Sequence, residues 1–285
     1  QAVQKLQMAL DIPLVLDCTN PQALERGLQE YQGKALINSV NGEAKSLEAI
    51  LPLAKKYGAA VLGLTLDENG IPEKAEDRLA IAHRIVQKAE EYGIPRHDVI
   101  IDCLVLTAAT SPAASMETVR AISLVKEELG TATTLGLSNV SHGLPQRSWL
   151  NASFLALTIG AGLDSAIANP LDNRIKETFL STALLTGRDL GARNYLSQAG
   201  KVTTVSETVK STAESTLAVL RLCILNGQQE AIGRHLTHLL TSYEPMTIIN
   251  QGIIPPLEEI GDKFACGEAY LPQLMLAGDA AKTAF

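Results

Sequence analysis

Short apolar runs that stop abruptly at a polar residue recur along the first half of the chain. They are Leu14-Val15-Leu16-Asp17, Ala35-Leu36-Ile37-Asn38, Val61 to Asp67, Val99-Ile100-Ile101-Asp102 and Leu135 to Asn139. Each is followed by residues whose apolar positions recur at helical spacing. Continuous runs of this length read as buried strands. Strands alternating with amphipathic helices predict a parallel sheet with right-handed connections. Strands are expected at about 14–17, 35–38, 60–66, 98–102, 133–138 and 165–168, with helices near 21–30, 45–57, 75–92, 116–129 and 148–162. Pro21 after Asn20 marks an N-cap with a first-turn proline. Gly58, Gly93 and Gly130 fall where left-handed C-caps belong.

Beyond about residue 187 the pattern changes. Residues 187–203 (GRDLGARNYLSQAGKVT) are polar and irregular. From Val205 onward only helical spacing is present, at about 206–226, 228–242, 244–265 and 271–285. Pro255-Pro256 should kink or split the third of these helices. The expected organisation is a βα domain over 1–190, a linker over 191–203 and a small four-helix bundle over 204–285.

The alternation places the first domain in the α/β class, as a (β/α)8 TIM barrel. In that fold polar groups at the C-terminal ends of the strands line a shared mouth. Six βα units can be counted, where eight close a barrel. Residues 1–10 (QAVQKLQMAL) set Val3, Leu6 and Leu10 at helical spacing, and Gln1 is not a start methionine. A further unit before residue 1 is therefore expected, and the chain reads as a piece of a longer protein at both ends.

Composition removes several function classes. A net charge of -7 without a basic run argues against a nucleic-acid partner. Aromatic residues at 4% are too few for a base-stacking platform. No run approaches the ~20 apolar residues of a membrane span, and no signal peptide opens the sequence. Cys18, Cys103, Cys223 and Cys266 are far apart, so neither a disulfide framework nor a zinc pair is expected, and a reducing cytoplasm is the default. The mouth would hold Asp17, Asn38, Asp102, Ser138 and Asn139, without a Ser-His-Asp set or a metal cluster. Hydrogen-bonding groups of this kind suit a polar heterocycle, with the hard chemistry left to a cofactor.

The segments LVLDCTNPQALERGL, ALINSVNGE, KKYGAAVLGLTLDENGIP, IIDCLVLT, TLGLSNVSHGLPQR and AGLDSAIANP resemble the folate-binding domain of cobalamin-dependent methionine synthases. They are similar, too, to the methyltetrahydrofolate:corrinoid/iron-sulfur protein methyltransferases. The segment IINQGIIPPLEEIGDKFACGEAYLPQLMLAGDAA is similar to the helical cap that precedes the cobalamin-binding domain of the methionine synthases, which favours that family over the freestanding barrel. The resemblance implies a pterin-binding barrel, with its first two strands missing, followed by an all-α cobalamin-binding cap. The implied reaction moves the N5-methyl group of methyltetrahydrofolate to cob(I)alamin, within methionine synthesis from homocysteine. The implied partners are a corrinoid-binding domain and a homocysteine-binding domain. Neither is contained here: no DxHxxG surrounds His83, His97, His142, His235 or His238, and there is no CC-type zinc pair. The ERIN-like and DVN-like segments of the family's first strands do not occur either. The barrel should then be open, with an exposed strand edge at Leu14 to Asp17. The alternative readings are a methyltetrahydrofolate–corrinoid protein methyltransferase of one-carbon metabolism and a non-catalytic corrinoid-docking module.

Roles follow for individual residues. A pterin presents an amide and an exocyclic amine. A carboxylate accepts two such donors, and an Asn side chain both donates and accepts. Asp17, Asn38 and Asp102 would supply that edge. By the resemblance, Asn139 lies near N5 and could accept a hydrogen bond from protonated N5, stabilising charge that develops as the methyl departs. Ser138 would support it, and Arg147 would meet negative groups of the substrate. Phe264 and Leu271 match apolar residues that cover cobalamin and limit water access. Plainer readings stand beside these. Asp17 could be a helix cap, Asn38 could satisfy a loop, Arg147 could be a solvated charge, and Phe264 and Leu271 could pack a bundle core. His142, Cys18 and Cys103 are read as loop and packing residues.

Overall fold

The expected alternation is present in the computed structural model, which describes residues 1–111, 113–199 and 216–285. The chain divides into two compact units, Gln1–Thr186 and Gly187–Phe285. The first runs α1 (Ala2–Ala9), β1 (Val15–Asp17), α2 (Pro21–Glu30), β2 (Leu36–Asn41), α3 (Ala44–Tyr57), β3 (Ala60–Leu64), α4 (Ala75–Glu91), β4 (Val99–Asp102), α5 (Ala114–Glu128), β5 (Ala132–Thr134), α6 (Arg147–Gly160) and α7 (Asn173–Leu185). Local chemistry sets the borders. The Asn20 side chain accepts the Ala23 N–H at 2.9 Å and starts α2 with Pro21 in its first turn. Gly58 closes α3 in the left-handed conformation.

All five strands are parallel and lie in the order β1-β2-β3-β4-β5. Register partners share a face. Ile37, Val61, Val99, Ile101 and Thr133 form the fully buried face packed under the helices. The opposite face carries Asp17, Asn38, Leu62, Leu64, Asp102 and Thr134. β1 is the sheet's edge, and Val15 and Ile12 beside it are exposed. Gly63 allows α4 to approach: a Cβ there would sit 2.8 Å from Ile85 Cγ2 and 3.4 Å from Ile101 Cδ1. Gly63→Ala is therefore expected to overpack the core and cost about 1–3 kcal/mol in denaturant unfolding. An unchanged midpoint would mean that the helix yields freely.

In the first unit the structure differs from expectation in three places. Residues 165–168 are not a sixth strand; a single parallel bridge, Gly136 to Ile167, remains. Residues 165–167 still run alongside β5, with the Ser165 N–H on the Thr133 carbonyl at 3.1 Å and the Ile167 N–H on the Leu135 carbonyl at 2.9 Å, while the Asp164 carboxylate accepts the Thr133 N–H at 2.7 Å in place of a further backbone bond. The expected strand over 133–138 ends at Thr134, and residues Leu137–Ser141 form a 3-10 turn instead. α7 was not expected; Asp172 caps it by accepting the Arg174 N–H at 3.0 Å.

In the second unit, part of the expected linker over 191–203 is helical. A 3-10 turn, Leu190–Ala192, leads into α8 (Arg193–Ala199), which buried Asp189 caps by accepting the Asn194 and Tyr195 N–H groups at 3.0 and 2.8 Å. Residues 200–203 of that linker, and 204–215 of the expected bundle, lie outside the described residues. The helices that follow are α9 (Thr216–Leu225), α10 (Gln229–Leu239), α11 (Pro245–Ile248), α12 (Ile254–Ala265) and α13 (Leu271–Ala284). A π-helical turn, Ile249–Ile253, joins α11 to α12. It lies just ahead of Pro255 and Pro256, which lack the N–H groups an uninterrupted helix would need. Leu220, Ile224, Ile232, Leu239, Ile253 and Ala277 lie in the core of this unit.

Candidate pterin site

Asp17 and Asn38 are register partners at adjacent strand ends, and Asn38 Nδ2 donates to Asp17 Oδ2 at 3.2 Å. Asp17 is exposed and Asn38 half-buried, so both retain unused hydrogen-bonding capacity toward the open face. Asp102 ends β4 on the same face but is only 4% exposed. Burial raises its carboxyl to about 6, opposed by hydrogen bonds from the Leu104 and Gly136 backbone N–H groups. The Leu104 bond is 2.7 Å long. The backbone of Asp102 is fixed as well: its carbonyl accepts the Thr65 N–H at 3.1 Å and the Thr65 hydroxyl at 3.0 Å.

Gly136 connects Asp102 with Asn139. Its N–H reaches the Asp102 carboxylate, and a Cβ added to it would lie 2.9 Å from Asn139 Nδ2. Asn139, in the 3-10 turn, is exposed, and its amide has no hydrogen-bond partner among the described residues. Ser138 is half-buried, and its carbonyl accepts Arg147 Nη2 at 2.8 Å. Arg147 Nε donates to Ser141 Oγ at 3.0 Å, and that hydroxyl donates to Asn151 Oδ1 at 2.7 Å. Arg147 is thus tied to the backbone of the turn rather than free in solvent. His142 is exposed, and its carbonyl accepts the Thr107 hydroxyl. The Cys18 thiol donates to the Asn20 carbonyl at 3.6 Å. Cys103 is fully buried, and that burial pushes its thiol up, away from thiolate chemistry.

In the second unit Phe264 near the end of α12 and Leu271 at the start of α13 are 42% and 55% exposed. They lie outside the bundle core, and Tyr270 and Met275 nearby are exposed as well. Exposed apolar groups clustered in this way mark a surface suited to contact with another molecule. Among the described residues no group of three or more His, Cys, Asp or Glu is placed to hold a metal ion. No helix among them is long and apolar enough to cross a membrane.

Three contributors escape a reading by residue type. Gly136 and Leu104 act through backbone N–H groups. Thr65 acts through a hydroxyl in a strand-end run. None carries a side-chain signal beyond its position after an apolar run.

Residues 1–169 match the family described as pterin binding enzyme, and residues 217–285 match the B12 binding domain. A methionine synthase of Mycobacterium leprae is 32% identical over 309 aligned positions; the match covers 98% of this chain but only 26% of that relative's length. A methylcorrinoid:tetrahydrofolate methyltransferase of Eubacterium limosum is 28% identical over 67% of this chain and 71% of its own. Among solved structures, the dihydropteroate synthase of Yersinia pestis with a pterin–sulfa conjugate aligns with a TM-score of 0.53 at 14% identity, covering 65% of this chain and 73% of that one. At that identity the likeness is one of fold, a TIM-barrel-like arrangement.

Proposed function

The chain belongs to the pterin-binding enzyme family, and on that premise we propose that its first unit binds methyltetrahydrofolate and delivers the N5-methyl group to a corrinoid. The observation that carries this reading is Asp102: a buried carboxylate, fixed at its backbone and side chain, on the sheet face it shares with the Asp17–Asn38 pair.

Asp102 accepts the paired N–H donors of the pterin edge, and Asn38, anchored on Asp17, donates and accepts beside it. Buried polar groups left unpaired by a wrong ligand enforce selectivity. Asn139 offers its amide oxygen to a proton on N5 as the methyl departs, stabilising charge that is largest in the transition state. Arg147 holds the turn that carries Asn139, through the Ser138 carbonyl and the Ser141 hydroxyl. When bound, the corrinoid supplies the nucleophile that takes the methyl group. Phe264 and Leu271 would lie against it and exclude water. The match of the second unit to a B12 binding domain supports a methionine-synthase setting over a freestanding methyltransferase. The corrinoid domain, the homocysteine step and its domain, and a cytoplasmic location belong to that setting.

Calorimetric titration tests the reading. Methyltetrahydrofolate should bind the folded chain, and p-aminobenzoylglutamate, its half without the pterin, should not. Binding of neither, or equal binding of both, would sink the pterin site.

A further inference from the structure

We infer that Arg78 is a positioning residue for Asp102: from α4 it grips the backbone just after β4 and so fixes the N–H that orients the site carboxylate. This rests on the pterin-binding reading above. Arg78 lies on the apolar face of α4 among Ala75, Leu79 and Ala82, and it is 0% exposed. A leucine or methionine would pack such a position without burying a charge, so the guanidinium needs a task there. Its contacts state the task. Nε donates to the Pro72 carbonyl at 2.8 Å. Nη1 donates to the carbonyls of Cys103 and Leu104, at 3.2 and 3.0 Å, and to Thr118 Oγ1 at 2.8 Å. The Thr118 hydroxyl in turn reaches the Leu104 carbonyl at 2.8 Å.

An ion pair is not the explanation. Among the described residues no carboxylate pairs with Arg78, and Glu117 nearby accepts from the Ala75 N–H and from Arg120 instead. What the guanidinium holds is an uncommon backbone. Leu104 has a φ of 51°, in the left-handed region that a leucine seldom occupies unless its surroundings impose it. In that conformation its N–H lies 2.7 Å from Asp102 Oδ1. Arg78 and Thr118 grip the carbonyls of Cys103 and Leu104, on either side of the bend, and the N–H between them is thereby aimed. Nε and Nη1, fixed in one plane, make these contacts, and Nη2 is buried without a hydrogen-bond partner among the described residues.

The test uses the full chain with Arg78→Met and Arg78→Lys, and with Val86→Ala, a buried α4 position away from the loop, as a control for stability. Arg78→Met should weaken methyltetrahydrofolate about tenfold, the size of one lost hydrogen bond to a charged group. It should also speed hydrogen exchange at the Leu104 amide by about tenfold or more while Ile101 in β4 stays protected. Arg78→Lys should recover part of both effects. Val86→Ala should lower Tm and leave affinity unchanged. In an Asp102→Asn background Arg78→Met should add no further loss, because its effect passes through that carboxylate. Additive losses in that background, or an unchanged Leu104 amide, would overturn the inference. If Arg78→Met does not fold, Thr118→Val takes its place, with the same signature expected at smaller size. Absence of folate binding by the unaltered chain would instead defeat the underlying reading, and Leu104 exchange would still decide whether Arg78 holds the loop.

Discussion

Replacing Asn139 with alanine is expected to slow methyl transfer by about 100- to 1,000-fold, the range found when a preorganised transition-state hydrogen bond is removed. Folate affinity should stay within a few-fold, because the bond to protonated N5 forms only as the methyl leaves. Tm should barely move, because the side chain is exposed and its amide bonds no described residue. Gly136→Ala offers a second route to the same loss. Its Cβ would lie 2.9 Å from Asn139 Nδ2, and a terminal amide can swing aside at little structural cost. The protein should therefore remain folded while the amide leaves its working position. Single-turnover transfer from saturating methyltetrahydrofolate to an added corrinoid would measure both variants. A rate within about threefold of the unaltered chain would remove Asn139 from the chemistry.

Asp102 should show opposite effects on binding and stability. Asp102→Ala removes both acceptors from the pterin edge, and affinity should fall about 100-fold. The ionised carboxylate is the acceptor, and its pKa is raised to about 6. Affinity should thus be level above pH 6 and fall about tenfold per unit below it. Stability runs the other way. A raised pKa means that the folded state holds this proton where the unfolded chain has lost it. The penalty for the buried anion is absent below the ordinary value of 3.8, grows with pH and is complete above about 6. Asp102→Asn should accordingly stabilise the chain at pH 7, by on the order of 3 kcal/mol, and lose that advantage by pH 4. It should also flatten the pH profile of binding. Denaturant unfolding at the two pH values checks the sign. A variant less stable at pH 7 would mean that the Leu104 and Gly136 bonds outweigh the burial.

The residues that were legible in the sequence are those with a local signature. Asp17, Asn38 and Asp102 each end an apolar run at the point where the chain leaves the sheet. Asn20-Pro21 and Gly58 mark helix ends by their own conformational preferences. What escaped depends on contacts between distant parts of the chain. Residues 165–168 have the look of a strand, but they pair only through a bridge and a few backbone bonds, with the Asp164 side chain taking the Thr133 N–H. The polar stretch ahead of α8 hides a cap, because Asp189 is buried only once its helix has formed. Phe264 and Leu271 have the spacing of core residues, and only the packed bundle shows them outside it. Arg78 did leave a trace: an arginine at a position where the α4 pattern calls for an apolar residue. The backbone N–H groups of Leu104 and Gly136 left none, since every residue except proline carries one.

The order of the sheet bears on how the protein is made. β1 to β5 pair in the sequence in which they are synthesised, so each of β2 to β5 meets the strand made just before it. Vectorial assembly of this kind keeps contacts local, and it limits the time any one edge stays uncovered. Among these five strands the Asp17–Asn38 half of the pocket is made before the Asp102 carboxylate, which arrives two strands later. A ribosome stalled after α3 would present the beginning of a ligand site with nothing yet to close it.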